Sequence, residues 1–123
     1  MAINSEKLGH ILKDFVSATN DVEGAAIVTP DGLPLATTLP SNMDDERVSA
    51  MSAAMLSLGE RIGKELVRGA IDRIYVEGNQ GLSILTSCGE DAVFLVLATQ
   101  QAKQGLLMLE IKRTLGDLKS ILL

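Results

Sequence analysis

The stretch AVFLVLA, residues 92–98, carries an apolar side chain at every position. Neighbouring side chains of a β-strand point to opposite faces of its sheet. A strand of this composition therefore belongs inside a sheet that is covered on both faces. That requirement excludes an isolated hairpin or a sheet with one wet face, and it asks the rest of the chain for two layers of cover.

Three helical patterns can supply them. Leu8, Ile11, Leu12, Phe15 and Val16 recur at helical spacing and predict a helix over about 5–18, capped by Asn4 or Ser5 and ended by Asn20-Asp21. Pro40-Ser41-Asn42 announces a second helix running to about Val67, with Asn42 as cap and Gly69 as stop signal. Asp44, Asp45 and Glu46 put negative charge where the helix dipole favours it. The third helix spans Lys103 to Leu122, with Met108, Ile111, Leu115, Leu118 and Leu122 forming its stripe.

Strand signals fill the gaps. Gly24–Thr29 and Leu33–Thr38 flank a Pro30-Asp31-Gly32 corner, in which Gly32 accepts the backbone a hairpin turn demands and Asp31 can bond nearby amides. Pro34 cannot donate to a ladder, which places the second strand at a sheet edge. Ala70–Glu77, Leu82–Cys88 and Ala92–Thr99 follow, joined by turns at Gly78-Asn79-Gln80-Gly81 and Gly89-Glu90-Asp91. The order is α-β-β-α-β-β-β-α. It predicts one α+β domain over 1–123, a five-stranded antiparallel sheet with helices packed on both faces.

The central helix has two distinct surfaces. Val48, Met51, Met55, Leu58, Ile62 and Leu66 form a large apolar stripe, expected to pack on the sheet. Beside it run Ser49, Ala50, Ser52, Ala53, Ala54, Ser57, Gly59 and Gly63, small enough to let a partner helix approach closely. A solvated Ala/Ser back explains these small residues equally well. Arg61, Lys64 and Arg68 suit the helix C-terminus and could also meet an acidic partner. The strand Ile71–Val76, if it is a free edge, must be protected by Asp72 and Arg73 or paired with its copy in a second subunit.

Composition narrows the function. Phe15, Tyr75 and Phe94 are the only aromatic residues, so surfaces that stack bases or sugars have almost nothing to use. A net charge of −5 argues against phosphate backbones and anionic membranes. Cys88 has no partner for an internal disulfide, and the first twenty residues have no apolar run of the signal-peptide kind. The longest apolar run, Ala92 to Ala98, is too short to cross a bilayer, and a cytoplasmic protein is expected.

Catalytic constellations are absent from the sequence. His10 stands alone on a solvent-facing helix position, with no HxxH or Cys/His cluster. Cys88 has no basic neighbour in sequence to lower its pKa and reads as a partly buried strand residue. Gly78–Gly81 precedes a strand and offers no helix N-terminus to a phosphate. Asp44-Asp45-Glu46 is explained by the helix dipole and Glu90-Asp91 by turn chemistry. No catalytic residue, cofactor or metal site is expected.

Four stretches carry a family resemblance: VEGAAIVTPDGLPLAT (22–37), RVSAMSAAMLSLGERIGKEL (47–66), IDRIYVEGNQGLSILTSCGEDAVFLVLA (71–98) and GLLMLEIKRTLGDL (105–118). Their order and spacing resemble the Roadblock/dynein-light-chain family, in particular its small bacterial and archaeal members that partner Ras-like GTPases. The resemblance implies a profilin-like fold and a non-enzymatic homodimer with its edge strands and central helices paired across a two-fold axis. It makes Ala50, Ala53, Ala54, Ser57, Arg61, Ile71, Arg73 and Tyr75 candidates for the dimer interface. Arg47, Met51 and Arg68 become candidates for contact with a small Ras-like GTPase, whose hydrolysis the dimer would stimulate. Arg47, Arg61 and Arg68 are the candidates for an arginine acting on that partner's site. Two other classes stay open: a scaffold or motor-associated adaptor binding Roadblock-type chains or peptides regardless of nucleotide, and a small-molecule sensor. The sensor lacks the expected aromatic and polar pocket set.

Overall fold

The structure is a computed structural model that describes residues 4–122. Met1 to Ile3 and Leu123 lie outside the described residues. The elements follow the predicted order: α1 (Ser5–Ala18), β1 (Val22–Val28), β2 (Pro34–Thr38), α2 (Asp45–Glu65), β3 (Arg73–Gly78), β4 (Gly81–Ser87), β5 (Val93–Ala98) and α3 (Gln104–Leu122). All pairings are antiparallel, in the spatial order β2-β1-β5-β4-β3. The first and last strands of the two meanders, β1 and β5, are neighbours, so the fully apolar β5 lies in the middle as its composition requires.

Each face of the sheet has its own helical cover. α1 and α3 close one face, with Leu8, Leu12, Phe15, Leu107, Ile111 and Leu118 buried on Ile27, Ile84, Phe94 and Val96. α2 closes the other, seating Leu56 on Ala26, Val28, Leu85, Val93 and Leu95. The rings of Phe15 and Phe94 meet edge-on at 5.5 Å between centroids, which adds a directional contact to an otherwise aliphatic core.

Caps set the helix limits. Asn4 Oδ1 accepts from the Lys7 amide at 3.1 Å, as expected for α1. The cap of α2 is Asp44, whose carboxylate accepts from the Glu46 amide at 3.0 Å, and not Asn42. Both are good caps, but Asp44 adds a negative charge at the positive end of the helix dipole.

The β1–β2 corner is a turn closed by the Gly32 amide donating to the Thr29 carbonyl at 3.0 Å. The Thr29 hydroxyl accepts from the Leu33 amide at 2.9 Å, the local bond that Asp31 was expected to make. Gly32 has φ of +97°, and a Cβ built there would lie 3.4 Å from Ala50 Cα of α2. Replacing Gly32 with valine therefore combines a left-handed backbone with a tight helix contact. The expected cost is about 1–2 kcal/mol, read as a lower midpoint in a urea titration at unchanged slope. β2 is the predicted edge strand. Pro34 opens it, and the Thr37 hydroxyl donates to Asp45 Oδ2 at 2.7 Å, tying the edge to the start of α2.

Candidate functional site

The two surfaces of α2 divide differently from what its sequence predicts: Val48 and Met55 of the large stripe pack on the sheet and Ala50, Ala54 and Ser57 stay exposed, but the rest of the two sets exchange places. The residues buried on the sheet are the small ones, Ser49, Ser52, Ala53, Gly59 and Gly63, together with Leu56. A Cβ at Gly59 would stand 2.5 Å from Ile74 Cδ1, and one at Gly63 2.5 Å from the Gly69 carbonyl oxygen and 2.7 Å from Ile71 Cδ1. The two glycines let the C-terminal half of α2 settle onto the chain leading into β3. The Ser49 and Ser52 hydroxyls donate to the carbonyls of Asp45 and Val48 at 2.7 and 2.9 Å, so both bury without a lost hydrogen bond.

The large stripe is consequently left in the open. Met51 is 58% exposed, Leu58 55%, Ile62 46% and Leu66 62%, while Val48 and Met55 are half-buried. It runs beside β3, an edge strand that among the described residues pairs with β4 alone. Ile74 and Val76 lie on the α2 side of that strand, since they share register with Leu85 and Ser83. An apolar groove of about 310 Å³ separates helix from sheet here, lined by Met43, Val48, Met51, Met55, Ile74 and Val76 among others. Unpaired strand backbone and exposed apolar helix thus form one continuous surface. Such surfaces mark interaction sites, because water is a poor neighbour for one and an unspecific partner for the other.

The structure distributes the other candidates as follows. Ala50, Ala54, Ser57 and Arg61 are exposed on the outer side of α2, as is Arg47, while Met51 is exposed at the groove beside β3. Ala53 is buried within its own chain, 3.6 Å from where a Cβ of Gly32 would stand, and is closed to any partner. Ile71 is half-buried under Gly63 and precedes β3, which begins at Arg73 and not at Ala70. Arg73 and Tyr75 occupy the α3 side of β3, opposite Thr86 and Ile84. Arg61 pairs with Glu65 at 3.4 Å on the surface, and Arg68 Nε donates to the Leu66 carbonyl at 3.0 Å.

Beyond α2 the stop signal also differs. The Gly63 carbonyl accepts from both the Arg68 and Gly69 amides, and the left-handed residue that permits it is Val67, with φ of +56°. A β-branched residue in that region is strained. Val67 is also the most exposed large apolar side chain of this end. Sequence reasoning missed it because glycine at 69 offered a more ordinary stop.

Cys88 is buried at the end of β4. Burial pushes its thiol pKa up, and Lys119, distant in sequence but near in space, lowers it in part. His10 is exposed on α1. Among the described residues no group of three or more His, Cys, Asp or Glu could hold a metal ion, and no helix is long and apolar enough to cross a membrane.

The comparisons agree with this architecture. The uncharacterized protein MJ0714 of Methanocaldococcus jannaschii is 30% identical over 106 residues, covering 86% of this chain and 89% of that protein. MglB of Myxococcus xanthus superposes with a TM-score of 0.91 at 17% identity, over 99% of this chain and 92% of that one. The Roadblock/LC7 domain from Streptomyces avermitilis gives 0.86 at 19% identity, over 93% and 96%. Likeness of fold extends to profilin Ia of Acanthamoeba castellanii, with a TM-score of 0.65 at 13% identity over 91% and 96%. The Roadblock/LC7 domain model matches residues 9–98, from within α1 to the end of β5, and the chain belongs to that family.

Proposed function

We propose that this chain is a homodimeric adaptor that binds a small Ras-like GTPase and stimulates its GTP hydrolysis. The observation that supports self-association is the exposed stripe Met51–Leu66 of α2 lying beside the unpaired edge of β3. A two-fold axis through that edge would pair β3 with its copy, extend five strands to ten, and lay the two stripes against each other. Ala50, Ala54 and Ser57 would let the helices approach, and Ile71, Arg73 and Tyr75 would flank the seam. The buried Ala53 has no part in it.

The GTPase half of the proposal is supported by membership of the Roadblock/LC7 family and its resemblance to members that partner such enzymes. Arg47 and Arg68 are the proposed contacts, on the solvent side of α2 and past its end, while Met51, the third candidate, lies in the stripe given to self-association. Arg47 has no ion pair among the described residues, which leaves its guanidinium available to an acidic or phosphate-bearing surface. Among the described residues no group of three or more His, Cys, Asp or Glu could hold a metal ion for phosphoanhydride cleavage. Stimulation would come from reordering the partner's own site or from one of the arginines.

Purified chain should sediment as a dimer and retain small Ras-like GTPases of its host when they are loaded with a non-hydrolysable GTP analogue. Retention on GDP should be at least tenfold weaker, a difference of about 1.4 kcal/mol. Equal retention with either nucleotide would replace this reading with a nucleotide-blind scaffold.

A further inference from the structure

A second groove lies on the opposite face of the sheet. α3 packs inward through Leu107, Ile111, Thr114 and Leu118, and its flank toward β3 does not close on the sheet. The resulting groove, about 640 Å³, is lined from the helix by Met108, Lys112, Leu115, Gly116 and Lys119, and from the sheet by Asp72, Arg73, Thr86 and Ser87. It follows α3 over the twelve residues from Met108 to Lys119, roughly 16 Å at helical rise.

Its chemistry is unlike that of the rest of the molecule. The chain carries a net charge of −5, yet three of the groove's charged residues are cations and only Asp72 is an acid. Met108 and Leu115 are half-buried and give the groove an apolar wall between the charged tips. Of the two hydroxyls on its sheet side, that of Thr86 is already donated to the Phe94 carbonyl at 3.3 Å, while Ser87 is exposed at the rim. At Gly116 the wall is missing a side chain, and a Cβ built there would meet nothing within 4 Å.

We propose that this groove binds an extended acidic segment of a partner protein, about five residues long, with Asp or Glu alternating with apolar side chains. Five extended residues span roughly 16 Å, the length of the groove. Alternation sends carboxylates toward Arg73, Lys112 and Lys119 and apolar groups toward Met108 and Leu115, whose flexible thioether and branched end adapt to varied side chains. Carboxylate recognition by one arginine and two lysines is electrostatic in origin and weakens with salt. The groove lies on the other face of the sheet from α2 and the apolar stripe, and it borders the proposed self-association seam at Arg73, whose side chain is on the α3 side of β3.

The probe is a fluorescein-labelled peptide Gly-Ser-Glu-Leu-Asp-Leu-Glu-Gly, with a control in which lysine replaces each acid, read by fluorescence polarisation. The acidic peptide should saturate the intact chain, lose at least tenfold in affinity between about 50 and 300 mM salt, and outcompete the basic control. Lys112→Glu with Lys119→Glu should weaken it at least tenfold. Gly116→Leu should weaken it comparably without lowering the melting temperature, because the new side chain enters open space and removes a helix-interior glycine. The proposal is overturned by equal binding of both peptides, by absence of saturation up to about 1 mM, or by variants that bind like the parent. Binding to phosphatidylserine vesicles with no binding of the acidic peptide would equally overturn it.

Discussion

Replacing Leu58 and Ile62 together by glutamate is expected to leave the chain folded and make it monomeric. Both side chains are about half exposed in the isolated chain, so the substitution removes little from the core. Surface changes of this kind usually move stability by no more than about 0.5 kcal/mol. In an isologous interface the same change acts twice, because each residue of one copy has a counterpart in the other. Burying a leucine or isoleucine side chain is worth about 1.5–3 kcal/mol, and the new carboxylates would have to be desolvated or the interface abandoned. Dimer affinity should fall by more than about 100-fold, or about 2.7 kcal/mol. Sedimentation should then give a species near 13.1 kDa with unchanged circular dichroism. A double variant that still sediments as a dimer would move the interface away from α2. The outer edge at β2 is a poorer candidate, because Pro34 and the Thr37–Asp45 bond already occupy it.

The same helix shows where sequence reading succeeds and where it stops. Element order was legible because period-3.6 and strand-like stretches alternate cleanly, and β5 could only be central. Whether β3 was a free edge stayed open in the sequence and is settled by its place at the end of the sheet, whereas the caps of α1 and α2 were legible to within two residues. What periodicity could not decide was which of two parallel stripes on α2 faces inward. The usual rule gives the core to the larger side chains, and here it fails. Burial depends on how closely a helix can approach, and Gly59 and Gly63 permit an approach that Leu58 and Ile62 would forbid. A signal was present in the sequence: Ser49, Ser52, Leu56, Gly59 and Gly63 recur at spacings of three and four along one face. The two serines masked it, since their hydroxyls look polar until they are seen bonded to their own helix. The groove beside α3 had no such trace, because Arg73 and Lys119 are brought together only by the sheet and the closing helix.

Replacing Gly63 with leucine should destabilise the fold more than any other single substitution considered above, by about 3 kcal/mol. Two opposing terms decide the sign. Removing a glycine from a helix interior gains about 1 kcal/mol in propensity. Against it, the first added carbon would already sit 2.5 Å from the Gly69 carbonyl oxygen, which is backbone and cannot rotate away, and 2.7 Å from Ile71 Cδ1. Relief requires α2 to lift from the chain entering β3, or the loop at Val67–Gly69 to give up its bonds to the Gly63 carbonyl. Either route loses packing beyond the propensity gain. The melting temperature should drop by roughly 10–15 °C for a chain of this size. Gly116→Ala on α3 isolates the propensity term, since its surroundings are open, and should raise the melting temperature by a few degrees. If both variants melted higher than the parent, the close seat of α2 on Ile71 would be wrong. In the expected case the lifted helix also carries Ile62 and Leu66 out of line with the β3 edge, so self-association should weaken along with stability. Loss of both from one buried glycine would tie the exposed stripe to the small residues that hold it in place.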